Sequence, residues 1–361
     1  NPADTPRYLL GAFPYLSSDT RGALVSYLDS EVAAYPLDQK TSPLPYEQGA
    51  RREWYALNPN QTTRLSNKWL VMDAYYRSGS YPPENLYALW MYYQSKNWGE
   101  AMFTEQPESD TVMDDIEAML DVNREIMRFK PEEHGGAVAG QLVVVDRQRG
   151  SGKRIEIDCT KFGSGAYTVP SSVEQLEFRT KARFVLAIET AGMFDRLVEE
   201  GFFEEQDCIL ISMGGVPSRA CRRFIRRLAD EKKIPVYAFT DGDPYGYMNI
   251  YRTLKVGSGN AAHLNRFFCV PQASYLGVTP QDVVEYNLPT HELKEQDIKR
   301  AQDALKNDPF VHHHKPWQKA LEQMLKMRMR VEQQAFAKYG LDFVVRDYLP
   351  KKLKNPKGFL P

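Results

Sequence analysis

Three acidic side chains directly follow apolar runs of the sequence: Glu189 in FVLAIETAGMFDRL, and Asp241 and Asp243 in VYAFTDGDPYG. Each run is rich in β-branched residues, which is typical of a buried parallel strand. Because ligands of open α/β sheets collect at the carboxyl ends of the strands, we expect the three carboxylates to converge there. Such a group needs a cation, and Mg²⁺ prefers oxygen ligands and accompanies phosphate substrates. The sequence therefore indicates phosphate chemistry.

Two other interpretations of the acidic motif remain open at this point. Asp241 and Asp243 could simply cap a helix that begins near Pro244. Asp241 could also be the nucleophile of a phosphatase, although phosphatases place their Asp-x-Asp after the first strand and this motif follows the third. Gly242 and Gly246 favour a binding site, since glycine lets the backbone approach a ligand closely.

The elements that must position these residues alternate from about residue 179 onward. Strands are predicted at 184–190, 208–213 and 236–240, and helices at 191–200, 218–231 and 244–254. This alternation predicts βαβ units and a mainly parallel sheet, and hence an α/β fold. A further strand is predicted at 266–271, and a long helix at 316–339.

The preceding part of the chain has a different pattern. Helices are predicted from residue 65, at 84–94 and at 109–119, with Ser109 or Asp110 as the N-cap of the third. Strands predicted at 140–146, 154–158 and 165–169 complete a unit of the winged-helix type. Residues 1–60 are rich in Pro and Tyr and are interpreted as an extended arm or a small subdomain, a candidate segment for binding a partner.

Composition narrows the class of protein. A chain of 361 residues is long enough for two or three domains, and its net charge of −1 gives no general attraction to nucleic acid. The four cysteines lack metal-type spacing, with Cys208 and Cys269 in predicted buried strands, so we expect a reducing cytoplasm. The sequence contains no apolar run of about eighteen residues, so no membrane span is predicted.

Local basic clusters are the candidates for contacts with a polyanion. Arg219, Arg222 and Arg226 share one face of a predicted helix, and with Lys255 they are candidate contacts to a DNA backbone. The alternative is a solvated helix face. The run from His312 to His314 is predicted to lie in a surface loop, because consecutive side chains do not share a helix face.

A Glu after one strand and an Asp-x-Asp two strands later resemble the Toprim domain of topoisomerases, primases and related nucleases. Longer segments resemble the A subunit of archaeal topoisomerase VI, a family related to the proteins that make meiotic double-strand breaks. These segments are IETAGMFDRL, SRACRRFIRRL, DGDPYGYMNI, YLGVTPQDVVEYNLPT and AKYGLDFVVRDYLPKKL. The resemblance extends through most of residues 60–353.

The resemblance implies a multidomain α/β fold. A winged-helix (CAP-like) cleavage domain would span 61–178, after the N-terminal segment 1–60. A Rossmann-like Toprim domain with a C-terminal helical extension would span 179–361. It also implies that Glu189, Asp241 and Asp243 bind Mg²⁺.

A tyrosine nucleophile is also implied by the family, which carries a Tyr-Tyr pair whose second member attacks DNA. In LYALWMYYQSKNWGEAMFTEQPESD this is Tyr93, with Tyr92 as its neighbour. Tyr75 and Tyr76 form a competing pair, but the sequence that follows Tyr93 matches the family. The family usually has Arg four residues before the nucleophile, where this chain has Leu89, so Arg77 or Lys96 would have to substitute for it.

The implied function is DNA cleavage by an ATP-dependent type IIB topoisomerase, through a 5′-phosphotyrosyl link, strand passage and religation. The sequence shows no convincing ATP-binding loop. The resemblance therefore implies a homodimer of A subunits joined to an ATP-binding B subunit in an A₂B₂ assembly, in the cytoplasm and associated with the nucleoid. Two alternatives remain: a Toprim nuclease or recombination-initiating protein without strand passage, and a DNA-binding paralogue that has lost cleavage.

Overall fold

The computed structural model describes residues 86–87, 92–93, 95–96, 102–120, 123–125, 129–130, 135–148, 151–257 and 264–361. The expectations for residues 1–60, the helix near residue 65, Tyr75, Tyr76, Arg77 and Leu89 lie outside these residues. The chain divides into two compact units, Asn1–Glu132 with Ser258–Phe267, and Glu133–Gly257 with Phe268–Pro361.

The described strands are numbered in chain order as β1 (Leu86–Tyr87), β2 (Phe129–Lys130), β3 (Ala137–Gly140), β4 (Leu142–Arg147), β5 (Arg154–Asp158), β6 (Tyr167–Thr168), β7 (Glu177–Thr180), β8 (Phe184–Ile188), β9 (Cys208–Ser212), β10 (Val236–Phe239), β11 (Ser274–Gly277), β12 (His291–Glu292) and β13 (Met329–Arg330).

The described α-helices are α1 (Gln106–Leu120), α2 (Ala191–Glu199), α3 (Phe202–Glu205), α4 (Arg219–Lys232), α5 (Arg252–Lys255), α6 (Asn265–Phe268), α7 (Pro280–Glu285), α8 (Glu295–Asn307), α9 (Pro309–His313), α10 (Lys315–Met327) and α11 (Leu349–Leu353). Two π-helical segments, Gly246–Tyr251 and Val344–Tyr348, and two 3₁₀ segments, Gln333–Tyr339 and Pro356–Gly358, complete the described elements.

In the first unit, β1 pairs with β2 in parallel, so the helix predicted over 84–94 is wrong at Leu86–Tyr87. Helix α1 begins at Gln106, ahead of the predicted caps Ser109 and Asp110. Thr104 precedes its first turn, and both its backbone N–H and its hydroxyl donate to Glu108 Oε2 at 2.9 Å. Ser109 lies inside the helix and is buried.

The second unit is built on a six-stranded sheet in the order β11-β10-β8-β9-β3-β6. Strands β11, β10, β8 and β9 are parallel to their neighbours, whereas β3 is antiparallel to both β9 and β6. The predicted strands at 184–190, 208–213 and 236–240 are β8, β9 and β10. Their near-complete burial explains why they are apolar throughout rather than alternating. The mostly parallel α/β sheet is therefore confirmed.

Helices α2 and α4 connect these strands and begin at side-chain caps. Thr190 Oγ1 accepts from Met193 N, and Ser218 Oγ accepts from Cys221 N. The apolar face of α4 is buried, and its arginines tie it to the turn before β7: Arg223 Nε donates to Glu174 at 2.7 Å, and Arg227 Nη2 to the Leu176 carbonyl at 2.8 Å.

Strands β5, β4 and β7 form a separate antiparallel sheet within the second unit. The strands predicted at 140–146, 154–158 and 165–169 to continue a winged-helix unit correspond to β4, β5 and β6, and they lie in the second compact unit, with β6 in its main sheet. The three-domain division stays a prediction.

The predicted strand at 266–271 is wrong, because this run forms α6 followed by coil, and the edge strand is β11. Phe268, Cys269 and Val270 are buried as expected of an apolar run. However, the Cys269 carbonyl accepts from Arg226 Nη1 at 2.6 Å and not from a neighbouring strand. Periodicity cannot distinguish a short buried strand from a short buried helix.

The long helix predicted over 316–339 is correct as far as Met327 and wrong beyond it. Helix α10 ends at Met327, its C-cap Arg328 has a left-handed φ of 51°, and β13 then pairs with β12. The chain continues extended to Val331, which pairs with Gly242. The helix predicted over 244–254 exists in a different form, since residues Gly246–Tyr251 are π-helical and continue into α5.

The histidine run is not a loop, since His312 and His313 end α9. Each of the three rings bonds a backbone carbonyl: those of Leu305, Pro309 and Phe310. Among the described residues, no helix is long and apolar enough to cross a membrane.

Part of the hydrophobic core is a cluster of aromatic side chains around Trp317. Trp317 is fully buried, stacks on Tyr251 with ring centroids 5.2 Å apart, and meets Tyr247 at 4.7 Å and Tyr275 at 5.6 Å. All four cysteines are buried free thiols, although Cys269 is not in a strand.

Candidate active site

Glu189 and Asp241 follow the carboxyl ends of two neighbouring parallel strands. Strands β8 and β10 pair with Ile188 opposite Phe239, so the next residues of both strands leave the sheet at the same edge. Glu189 N donates to the Phe239 carbonyl at 3.0 Å, and Asp241 N donates to Glu189 Oε2 at 2.8 Å. The structure thus brings these two residues into contact, as the strand pattern predicts.

Asp243 lies on the same loop and also has a structural contact. Its Oδ1 accepts from Gly246 N at 2.7 Å, at the first residue of the π-helix. The helix-capping interpretation is therefore correct for one oxygen of Asp243. It does not describe Asp241, whose Oδ1 accepts instead from the backbone N–H of Gln333 at 2.9 Å.

Burial, and to a smaller extent the charges of neighbouring carboxylates, raise the pKa values of these three side chains. Burial, followed by the neighbouring Asp241, raises the pKa of Glu189 to about 8. Burial raises the pKa of Asp241 to about 6, although the hydrogen bond from the Gln333 backbone N–H lowers it in part. The pKa of Asp243 is also raised, first by burial. A hard cation would favour the ionised forms, so the donor set fits Mg²⁺.

The described residues contain no group of three or more His, Cys, Asp or Glu side chains arranged to enclose a metal ion. Magnesium commonly binds through one or two carboxylates, completing its octahedron with waters and substrate phosphates. The contact between Glu189 and Asp241 suits that mode of binding better than an all-protein cage.

Three charged residues beside the trio are absent from the sequence-based prediction. The positive charge of Arg330 lowers the pKa values of Asp241 and Asp243, Glu332 raises that of Asp241, and the buried Asp297 raises that of Asp243. Arg330 and Glu332 fall within the helix wrongly predicted over 316–339, so no local sequence signal places them at the site.

The two glycines of the acidic loop have a different role from the predicted one. A Cβ on Gly242 would lie 2.5 Å from Val331 Cγ1 and 2.8 Å from the Val278 carbonyl oxygen. A Cβ on Gly246 would lie 2.5 Å from the Asp241 carbonyl oxygen. Glycine is thus required here by the packing of the protein against itself.

The four candidate DNA contacts all touch one stretch of the chain, 268–273. The guanidinium carbons of Arg219 and Arg222 lie 4.4 and 5.7 Å from the Phe268 ring centroid. Arg226 donates to the Cys269 carbonyl, and Lys255 Nζ donates to the Pro271 and Ala273 carbonyls at 2.8 and 2.6 Å. Burial lowers the pKa of Lys255. Each therefore has an internal packing role, and DNA contact by these residues stays a prediction.

The two adjacent tyrosines of the first unit differ in accessibility. Tyr93 is helical and 62% exposed. Tyr92 is partly buried, its hydroxyl lies 3.4 Å from the Thr104 carbonyl, and Lys96 Nζ lies 4.1 Å from its ring centroid. Lys96 also donates to the Phe103 carbonyl at 2.7 Å. Tyr93 is thus the more exposed side chain of the pair.

The buried carboxylates predict a stability that falls as pH rises in the absence of divalent cations. Glu189 holds its proton more tightly in the folded protein (pKa about 8) than at its ordinary value of 4.5. Its contribution is fully present below about pH 4.5 and is lost as the pH rises towards 8. We expect a loss on the order of 5 kcal/mol across this window. Chemical denaturation of wild type and Glu189→Gln in chelator tests this, and equal pH slopes would contradict it.

Comparison with known proteins gives two matching family models. Residues 184–353 match the model for the Toprim domain of topoisomerase 6 A subunits and Spo11. Residues 132–182 match the model described as "All-beta domain in DNA topoisomerase VI alpha subunit". The second match covers β3 to β7, including the small antiparallel sheet.

Several similar proteins are named as the A subunit of type 2 DNA topoisomerase 6. That of Methanocaldococcus jannaschii is 56% identical over 270 residues, or 75% of this chain and 73% of that protein. That of Archaeoglobus fulgidus is 44% identical over 267 residues, 73% of each chain. That of Haloarcula marismortui is 42% identical over 73% of this chain and 71% of its own length.

Proposed function

The chain belongs to the family of type 2 DNA topoisomerase 6 A subunits, and we propose that it is the subunit that cleaves DNA in a type IIB topoisomerase. The observation that supports this best is the contact between Glu189 and Asp241 at the carboxyl edge of the parallel sheet. The carboxylates of the buried Glu189 and the partly buried Asp241 have raised pKa values and favour a bound cation, and a phosphate substrate would complete the coordination of Mg²⁺.

In this proposal Glu189, Asp241 and Asp243 hold Mg²⁺, which supplies charge neutralisation and orientation of the scissile phosphate. Glu189 and Asp241 each keep an oxygen in a hydrogen bond to a backbone N–H, which fixes the direction of the remaining oxygen. Asp243 is held in the same way by Gly246 N.

Tyr93 is the proposed nucleophile. Its hydroxyl loses a proton, its oxygen forms a bond to phosphorus, and the bond from phosphorus to the 3′-oxygen breaks, leaving a 3′-hydroxyl. The resulting 5′-phosphotyrosyl ester retains the energy of the phosphodiester, so attack by the 3′-hydroxyl restores the DNA and frees the phenol. The exposure of Tyr93 supports this role, because the nucleophile must reach a duplex.

The assembly we propose is an A₂B₂ heterotetramer. The relatives are named as one lettered subunit of a topoisomerase, which supports the existence of a partner subunit. A homodimer of A subunits would cut both strands, with Tyr93 of one protomer beside the carboxylates of the other. The B subunit would bind and hydrolyse ATP for strand passage. Arg219, Arg222, Arg226 and Lys255 remain proposed contacts to the DNA backbone.

Relaxation of supercoiled plasmid tests the function. The protein, mixed with a B subunit of the family, Mg²⁺ and ATP, is expected to relax the plasmid, and denaturation during turnover is expected to trap protein covalently on broken DNA. Linear DNA without covalent protein would favour a nuclease. Covalent adduct without relaxation would favour a recombination-initiating protein, and DNA binding without cleavage would favour a non-catalytic paralogue.

A further inference from the structure

A short extended segment after β13 closes over the acidic loop. Val331 pairs with Gly242 in both directions: Gly242 N donates to the Val331 carbonyl at 2.8 Å, and Val331 N donates back at 3.3 Å. The absence of a side chain at Gly242 permits this approach, because a Cβ there would collide with Val331. This pairing places Gln333 within hydrogen-bond distance of Thr190, Phe239 and Asp241.

The Gln333 side chain is fully buried and uses both ends of its amide. Its Nε2 donates to the Phe239 carbonyl at 2.9 Å, and its Oε1 accepts from Thr190 Oγ1 at 3.0 Å. Its backbone N–H donates to Asp241 Oδ1 at 2.9 Å. Gln333 thus forms hydrogen bonds with Thr190, which follows Glu189, with the last residue of β10, and with the Asp241 carboxylate.

These bonds converge on the group that links the two strand ends. The Phe239 carbonyl, which accepts from Gln333, also accepts from Glu189 N. Displacing the amide would therefore loosen the backbone on which both carboxylates stand. Ionised carboxylates on neighbouring strand ends repel each other, so surrounding contacts must hold Glu189 and Asp241 in place.

We propose that Gln333 is a positioning residue that fixes the separation and direction of Glu189 and Asp241 for a divalent cation. The proposal rests on the proposed function. Outer contacts that orient metal-binding carboxylates typically change metal affinity by 10- to 100-fold when removed. Glutamine suits the position because one planar amide supplies both the donor and the acceptor. Glutamate would lose the donor and add a fourth negative charge, and asparagine is one methylene shorter.

The test compares wild type with Gln333→Met and measures the Mg²⁺ concentration that gives half of the maximal effect. The methionine keeps the length of the side chain and the backbone N–H, but it removes both hydrogen bonds of the side-chain amide. Two readouts are measured: the rise in melting temperature caused by Mg²⁺ alone, and the yield of covalent DNA adduct. We expect both midpoints to rise about tenfold, with the adduct yield largely restored at saturating Mg²⁺. The matched control is Gln318→Met, which also removes a bond from a glutamine amide to a carbonyl, that of His312, and is expected to leave both midpoints unchanged.

Thr190 supplies a second test if Gln333→Met fails to fold. Thr190→Val removes the hydroxyl that donates to Gln333 Oε1, whereas Thr190→Ser retains it. We expect the valine variant to raise the Mg²⁺ midpoints several-fold and the serine variant to match wild type within about twofold.

The outcomes separate this proposal from the proposed function. If wild type forms the adduct but Gln333→Met and Thr190→Val have unchanged midpoints, the positioning role is overturned and the function stands. A lower melting temperature with unchanged midpoints likewise overturns it, because a purely structural glutamine would give that result. If wild type neither responds to Mg²⁺ nor forms an adduct, both proposals are overturned.

Discussion

Tyr93→Phe is expected to abolish covalent attachment to DNA, reducing the adduct by at least about 10⁴-fold. The substitution removes the only oxygen of the side chain and leaves the ring, so its effect is confined to the attack on phosphorus. Because the side chain is 62% exposed, folding should be unaffected. The measurement is the yield of DNA trapped on protein by denaturant, with Mg²⁺ and a B subunit present.

Tyr92→Phe is the matched control. The Tyr92 hydroxyl makes a long contact of 3.4 Å with the Thr104 carbonyl, so removing it should change the adduct yield by about threefold or less. Loss of adduct in Tyr92→Phe with full activity in Tyr93→Phe would reverse the assignment. Cleavage that survives both substitutions would indicate hydrolysis without a tyrosine ester.

Glu189→Gln and Asp241→Asn are each expected to reduce DNA cleavage about 10²- to 10³-fold at a fixed Mg²⁺ concentration. Each change keeps the shape of the side chain but removes an anionic ligand from the proposed cation site. Both acids are harder to ionise than usual, since their pKa values are about 8 and about 6. The neutral amides should therefore fold at least as stably as wild type without metal at pH 8, which separates loss of cation binding from loss of the fold.

Exposed carboxylates far along the chain from the acidic loop serve as controls for the loss of one negative charge. Glu204→Gln and Asp303→Asn are expected to cleave as wild type does. Cleavage by Asp241→Asn at the wild-type rate and the same Mg²⁺ midpoint would rule out the proposed ligand set. Activity that returns at high Mg²⁺ in Asp241→Asn would instead support it, because weaker binding is overcome by concentration.

The sequence predicts the parallel part of the main sheet well because its strands are buried on both faces. Strands β8, β9 and β10 are nearly continuous apolar runs, and helices with N-caps at Thr190 and Ser218 follow β8 and β9. Both the apolar pattern and the capping residues are local signals. The proximity of Glu189 and Asp241 follows from them, since residues after neighbouring parallel strands share an edge.

Other features depend on contacts that local patterns do not carry. The run around Cys269 is apolar enough for a strand, but the Cys269 carbonyl accepts a hydrogen bond from the Arg226 side chain and not from a neighbouring strand. The helix predicted over 316–339 ends at Met327, and Val331 then pairs with Gly242, some ninety residues earlier. Gln333 and Arg330 reach the site only through this long-range pairing, so neither could be assigned from its own sequence neighbourhood.

Identifying the amino acid and the DNA end joined in the trapped complex tests the proposed cleavage most directly. Wild-type adduct formed with Mg²⁺ and a B subunit is digested with protease and nuclease, and the modified peptide is sequenced by mass spectrometry. We predict one modified residue, Tyr93, carrying a 5′-linked nucleotide and leaving free 3′-hydroxyl ends on the DNA. A nucleotide on any other residue, a 3′-linkage, or broken DNA with no modified peptide would contradict this mechanism.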